Sequence, residues 1–117
     1  MKRDIELARD ILVALEELDS FDEPVIPDIP GRSKHEVVYH IKLLFEAGLI
    51  DAQNWSTDDG PEWVATSLTS AGHDFLDAAR NNTIWEKAKS IVVERGSALT
   101  VETLKIALSQ VVRGALS

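Results

Sequence analysis

Residues 33–68 carry start and stop signals in an order that few folds accommodate. Ser33, with Glu36 three residues on, has the spacing of a capping box, and Gly48 stands where a helix is left through a left-handed residue. Between them, at about 100° per residue, Val37, Ile41, Leu44 and Phe45 fall on one face, with His35, Tyr39, Lys42 and Glu46 opposite. The spacing predicts a one-sided helix over 33–47. Leu49 to Trp55 and Glu62 to Leu68, with their Trp, Val, Ile and Thr, flank Ser56-Thr57-Asp58-Asp59-Gly60-Pro61. Asp-Gly is a strong turn signal, so a hairpin over 49–68 with an acidic tip is expected.

The flanking segments are helical by the same logic. Asp4 can cap a helix over 4–18, in which Ile5, Ala8, Leu12 and Leu15 recur at three- and four-residue steps, widened by Ile11 and Leu18. Asp19 to Pro24 breaks it, and the proline-rich run from Val25 to Gly31 reads as a short strand, 25–29, ending in a turn. Thr69 caps a helix over 70–80 containing Phe75, Leu76 and Ala79. After Asn81-Asn82, Thr83 and Glu86 form another capping-box spacing, opening a helix over 84–94 that Gly96 closes. Thr100 caps a last helix, 101–116, with Val101, Leu104, Leu108, Val111 and Ala115 in steps of three and four. The expected class is mainly α with a small β-hairpin (α+β). Residues 1–81 form the main unit, and 82–117 a two-helix C-terminal extension packed on the same domain. A chain of 117 residues is within the range of one domain.

Several chemistries are excluded or disfavoured. The chain has no cysteine, which removes disulfides, thiolate zinc sites and cysteine nucleophiles. No apolar run approaches the ~20 residues of a membrane span, and the opening MKRDIELARD lacks the apolar region of a signal peptide. A cytoplasmic protein without a membrane partner is expected. His35-Glu36 followed by His40 resembles a zinc helix, but a separation of five residues turns the two rings about 140° apart, so no metal is expected. His40 should flank the core with a hydrogen-bonded ring. His73 and Asp74, adjacent on a helix, point about 100° apart; His73 is expected to pack against the hairpin. Neither a nucleophile elbow nor a phosphate loop accompanies them, so no catalytic residues, no cofactor and no enzyme are expected.

Charge divides the chain. The net is −8, and residues 1–31 hold three bases against nine acids. Residues 32–50 hold three bases against two acids, residues 51–67 four acids and no base, and residues 82–117 five bases against three acids. An anionic partner must therefore meet a small patch rather than a broad positive face.

The order helix, short strand, helix, hairpin, helix resembles a winged helix-turn-helix with a reduced second helix and a C-terminal helical extension. The string from Tyr39 to Ile50 looks like the end of a recognition helix entering the first wing strand. Leu68-Thr69-Ser70-Ala71-Gly72-His73 looks like the exit from the second. The whole chain also resembles an uncharacterised, domain-of-unknown-function family of small bacterial and phage or prophage proteins. That likeness is carried by Met1-Lys2-Arg3-Asp4, Tyr39 to Ile50, Leu68-Thr69, Gly72 to Arg80, and Asn82-Thr83-Ile84-Trp85. The resemblance implies a winged-helix architecture and a mobile-element context, and no activity.

A recognition helix presents long polar side chains to base edges and phosphates. The candidate nucleic-acid-binding residues are Arg32 and Lys34 for phosphate, and His35, Tyr39 and Lys42 for bases. The expected function is a DNA-binding transcriptional regulator of phage or prophage type acting on double-stranded DNA. The acidic hairpin tip argues for the alternative, an acidic protein–protein interaction module engaging a host protein. A homodimer through helix 101–116 is the further partner expectation, against the plainer reading of a helix packed on its own core. Trp55, Trp63 and Trp85 are expected to be structural, and exposure of either hairpin tryptophan would point to a binding surface.

Overall fold

A computed structural model describes residues 1–19 and 22–116; Ser20 and Phe21 in the expected helix break, Ser117, and the side chains of Ala115 and Leu116 lie outside the described residues. The described residues form α1 (Ile5–Glu16), α2 (Lys34–Glu46), β1 (Ile50–Asn54), β2 (Trp63–Leu68), α3 (Ser70–Ala79), α4 (Asn82–Glu94) and α5 (Val101–Leu116). The class is α+β, mainly helical with one small antiparallel hairpin. None of these helices is long and apolar enough to cross a membrane.

Local chemistry sets most of the element ends. The Asp4 carboxylate accepts from the N–H groups of Glu6 and Leu7, which caps α1. The helix stops at Glu16, two residues short of expectation. Leu15 is the last buried residue of its stripe, and Leu18 beyond it is 41% exposed. The capping box at α2 is complete, with Ser33 Oγ accepting from Glu36 N–H and Glu36 Oε1 accepting from Ser33 N–H, each at 3.2 Å. At the other end Leu49 N–H donates to Leu44 C=O and Gly48 N–H to Phe45 C=O, with Gly48 at φ 78°. This double closure needs a left-handed residue, which glycine adopts without strain. The exit delivers Leu49 and Ile50 into the core, both essentially fully buried.

The hairpin pairs Ile50 with Leu68 and Asn54 with Trp63, with a bulge after Asp51 that shifts Ala52 opposite Ala65. At its tip Thr57 and Gly60 exchange both backbone hydrogen bonds around Asp58 and Asp59. The expected strand over 25–29 reduces to one residue. Val25 exchanges two 2.8 Å hydrogen bonds with Ala65. The next ladder position, two residues on, is Pro27, which has no N–H to donate.

The joint between hairpin and α3 is built on Thr69 and Gly72. Thr69 Oγ1 donates to Gly48 C=O at 2.7 Å and accepts from Gly72 N–H at 3.0 Å, while Thr69 N–H reaches Leu49 C=O. The first turn of α3 lies so close to the chain leaving α2 that a Cβ on Gly72 would sit 1.9 Å from Leu49 O. No other residue fits there.

Helix α4 begins at Asn82, capped by Asn81 rather than by Thr83. The Asn81 side chain accepts from Ile84 N–H at 3.0 Å and its C=O from Trp85 N–H. Trp85 is 1% exposed and ties α4 to α1. Its Nε1–H donates to Glu6 Oε1, the Arg9 guanidinium lies 4.8 Å over its ring, and Phe75 meets it edge-on. Burial alone would raise the Glu6 pKa, but hydrogen bonds from Lys89 and Trp85 and the charges of Lys89 and Arg9 leave it lowered. The Glu16 pKa is lowered chiefly by its hydrogen bond from Arg80. Leu104, Ala107 and Leu108 of α5 are buried in the same cluster as Leu7, Leu12 and Ile41, with Val101 and Val111 packed against it. The described part of the α5 stripe thus packs onto the chain's own core.

Candidate functional site

Helix α2 presents its outer face beside the hairpin because Val37, Ile41 and Leu44 are drawn into the core. Two further residues follow them inward. Val38 is 5% exposed and His40 2%. The His40 ring is held at both nitrogens: Nε2 accepts from Asp4 N–H at 2.8 Å, so Nδ1 carries the hydrogen and donates to Glu36 C=O at 2.7 Å. The start of α1 is thereby fastened to the middle of α2. Phe45, expected on the core face, is instead 40% exposed, its ring tilted against that of Trp63 with 5.6 Å between centroids.

The five candidate nucleic-acid-binding residues fall into three environments. Arg32 turns away from the outer face and lies 2.7 Å from Asp4 and 3.4 Å from Glu36. It joins the two helix caps, and its pKa is raised chiefly by the Asp4 hydrogen bond. The Asp4 pKa, which burial would raise, is lowered by that hydrogen bond, by the Leu7 and Glu6 N–H groups and by the Arg32 charge. The Glu36 pKa is lowered first by the Ser33 N–H. Lys34 bonds Glu62 of the hairpin at 2.8 Å, and Lys42 bonds Glu46 one turn on at 2.9 Å. His35 is exposed, and Tyr39 is half-buried with its ring edge-on to His40. The structure therefore brings His35, Tyr39 and Lys42 onto one outward surface and gives each base of the set a carboxylate within 4 Å.

Around this face the hairpin contributes acids and aromatics. Trp55 is 48% exposed, its Nε1–H bonded to Gln53. His73 is exposed rather than packed on the hairpin, and faces Glu16 at 4.0 Å across a hollow shared with Thr66 and Ser67. Among the described residues no three His, Asp or Glu side chains group so as to hold a metal ion. The i,i+4 pairs were visible as spacings. The Asp4–Arg32 and Lys34–Glu62 pairs, which decide how much charge is available, had no local signal.

A family model described as "Hypothetical protein (DUF2513)" matches residues 2–98. An "Uncharacterized protein" of Haemophilus influenzae is 36% identical over 106 residues, covering 90% of each chain. No solved structure matches.

Proposed function

The chain belongs to the family described as hypothetical protein DUF2513, and we propose that it is a winged-helix-type module of the bacterial cytoplasm whose α2–hairpin face binds a protein, not nucleic acid. The winged-helix reading is supported by the order α1, Val25 bridge, α2, hairpin, α3, with the outer face of α2 beside the hairpin. The reading as a protein binder is carried by one observation: Arg32, Lys34 and Lys42 each pair with a carboxylate. A phosphate approaching Lys34 or Lys42 meets Glu62 or Glu46 as well. Such exposed pairs are worth only about 0.5 kcal/mol and could exchange, but the acid stays beside the ligand and cancels the gain. Asp58 and Asp59 add repulsion at the hairpin tip, while exposed Trp55 and Phe45 are the kind of side chain that anchors protein interfaces. Binding rather than catalysis is supported by the histidines: both nitrogens of His40 are spent, His35 is exposed, and His73 is exposed with Glu16, itself paired with Arg80, 4.0 Å away.

The second reading is a phage- or prophage-type transcriptional regulator bound to double-stranded DNA. It is favoured by the alignment of His35, Tyr39 and Lys42 on the outer face of α2, where a recognition helix meets the major groove. One experiment separates the two. Wild type and a Trp55→Ser/Phe45→Ser variant are used as nuclease-treated baits in bacterial lysate, beside a gel shift with pooled random duplexes at ~50 mM salt. A stoichiometric protein retained by wild type and lost by the variant, with no shifted duplex, is the expected result. A shifted duplex whose retention weakens steeply with salt, and no protein, would establish the regulator instead.

A further inference from the structure

Unlike the bases of α2, Lys105 and Arg113 on α5 make no ion pair or hydrogen bond through their side chains among the described residues, and both are exposed. They edge a groove of about 360 Å³ between α3 and α5. Its floor is apolar: Ala71, Phe75 and Ala78 from α3 meet Leu108 and Val112 from α5. Asp74 is the one acid in the lining, and it lies more than an ion-pair distance from either cation. The hydroxyl of Ser109 is already donated to Lys105 C=O at 3.0 Å. Eight residues separate the two cations, which at 1.5 Å of rise puts them about 12 Å apart along the helix. The α3 wall of this surface lies within the family match and the α5 wall, with both cations, beyond residue 98 where the match ends; neither depends on the reading of α2.

We propose that the α3–α5 groove docks an acidic amphipathic helix of a partner protein, its apolar stripe on the groove floor and two carboxylates, about two turns apart, on Lys105 and Arg113. The match is one of charge and shape together. A helix laid in a groove offers apolar anchors at three- and four-residue steps, with acids flanking them at the spacing of the two cations. Nucleic acid is a poor occupant, since two phosphate contacts release few counterions and give little affinity. An anionic membrane is also a poor one, because such surfaces are held by clusters of about four to eight bases, and this groove has two. The overall charge of −8 opposes an acidic partner only at long range. At physiological salt the screening length is about 8 Å, and at that range the groove lining holds two cations, Lys105 and Arg113, against one acid, Asp74.

The test uses the full-length, isotope-labelled chain and follows its amide resonances. The probe is a synthetic helix-forming peptide with a leucine stripe and flanking glutamates seven residues apart. Controls are the same peptide with lysines for glutamates, a phosphatidylserine vesicle and a random duplex. Saturable shifts confined to α3 and α5 with the glutamate peptide are expected. Lys105→Gln with Arg113→Gln should weaken that binding about tenfold, and both side chains are exposed and make no ion pair among the described residues, so folding should be unaffected. The lysine peptide should not saturate. The inference is overturned by shifts elsewhere or none with the glutamate peptide, by undiminished binding in the double variant, or by equal response to vesicle or duplex.

Discussion

Helix α2 and helix α5 each carry bases on their outer sides, in the two segments of the chain whose bases outnumber their acids. They differ in what those bases touch. On α2, Lys34 and Lys42 lie within 2.9 Å of glutamates, and Arg32, just before it, is absorbed between Asp4 and Glu36. On α5, Lys105 and Arg113 stand open beside an apolar groove. A residue count gives these segments similar charge, yet only one has charge to offer a partner. What separates them is which bases have an acid at hand: Asp4 reaches Arg32, Glu62 reaches Lys34 and Glu46 of α2 itself reaches Lys42, whereas among the described residues no carboxylate pairs with Lys105 or Arg113.

That contrast can be broken most severely by cutting α4 and α5 from the core they share with α2. Trp85→Ala should lower the unfolding free energy by about 3–5 kcal/mol in urea titration, because the ring is 1% exposed and holds α4 on Glu6 and Arg9 of α1. A loss under about 1 kcal/mol would mean that the extension is not part of the same cooperative unit. Gly72→Ala should cost about 3 kcal/mol, since the new methyl would drive α3 away from Leu49 O; an unchanged denaturation midpoint would contradict the close approach.

Acid should expose the side of the contrast built on ion pairs. Asp4, Glu6, Glu16 and Glu36 all have lowered pKa values in the folded chain. Their stabilisation is complete above the ordinary carboxylate range and is lost as pH falls through the folded values. The melting temperature should therefore drop below roughly pH 4, and stability that rose on acidification would refute the sign. The smallest effect belongs to the outer face itself. Lys42→Ala should shift stability by no more than about 0.5 kcal/mol, because its partner Glu46 is one turn away and both are solvated; a larger loss would mean that the pair is structural.

The parts of the fold legible in sequence are those fixed by neighbours along the chain. Ser33, Glu36 and Gly48 bound α2 to within a residue, and the Asp-Gly turn places the hairpin. Where two local signals compete, the reading slips. Thr83 with Glu86 has capping-box spacing, but Asn81 caps first because both its side chain and its C=O are already bonded into the opening turn. The candidate site was legible as a face and not as a field. Lys42 and Glu46 are four apart and visibly pair, whereas Lys34 finds Glu62 from 28 residues away, and Arg32 is claimed by a cap on another helix. Likewise His40 was expected at the edge of the core, but the Asp4 N–H that fixes its tautomer comes from a distant segment.

One titration tests the distribution of usable charge most directly. The labelled chain is mixed with pooled random duplex at ~50 mM salt, where electrostatic binding is strong, and amide shifts are mapped along residues 34–46. Unmoved resonances across α2 are the predicted result. Saturable shifts centred on Lys34, His35, Tyr39 and Lys42, abolished when the two lysines are replaced by alanine, would contradict it.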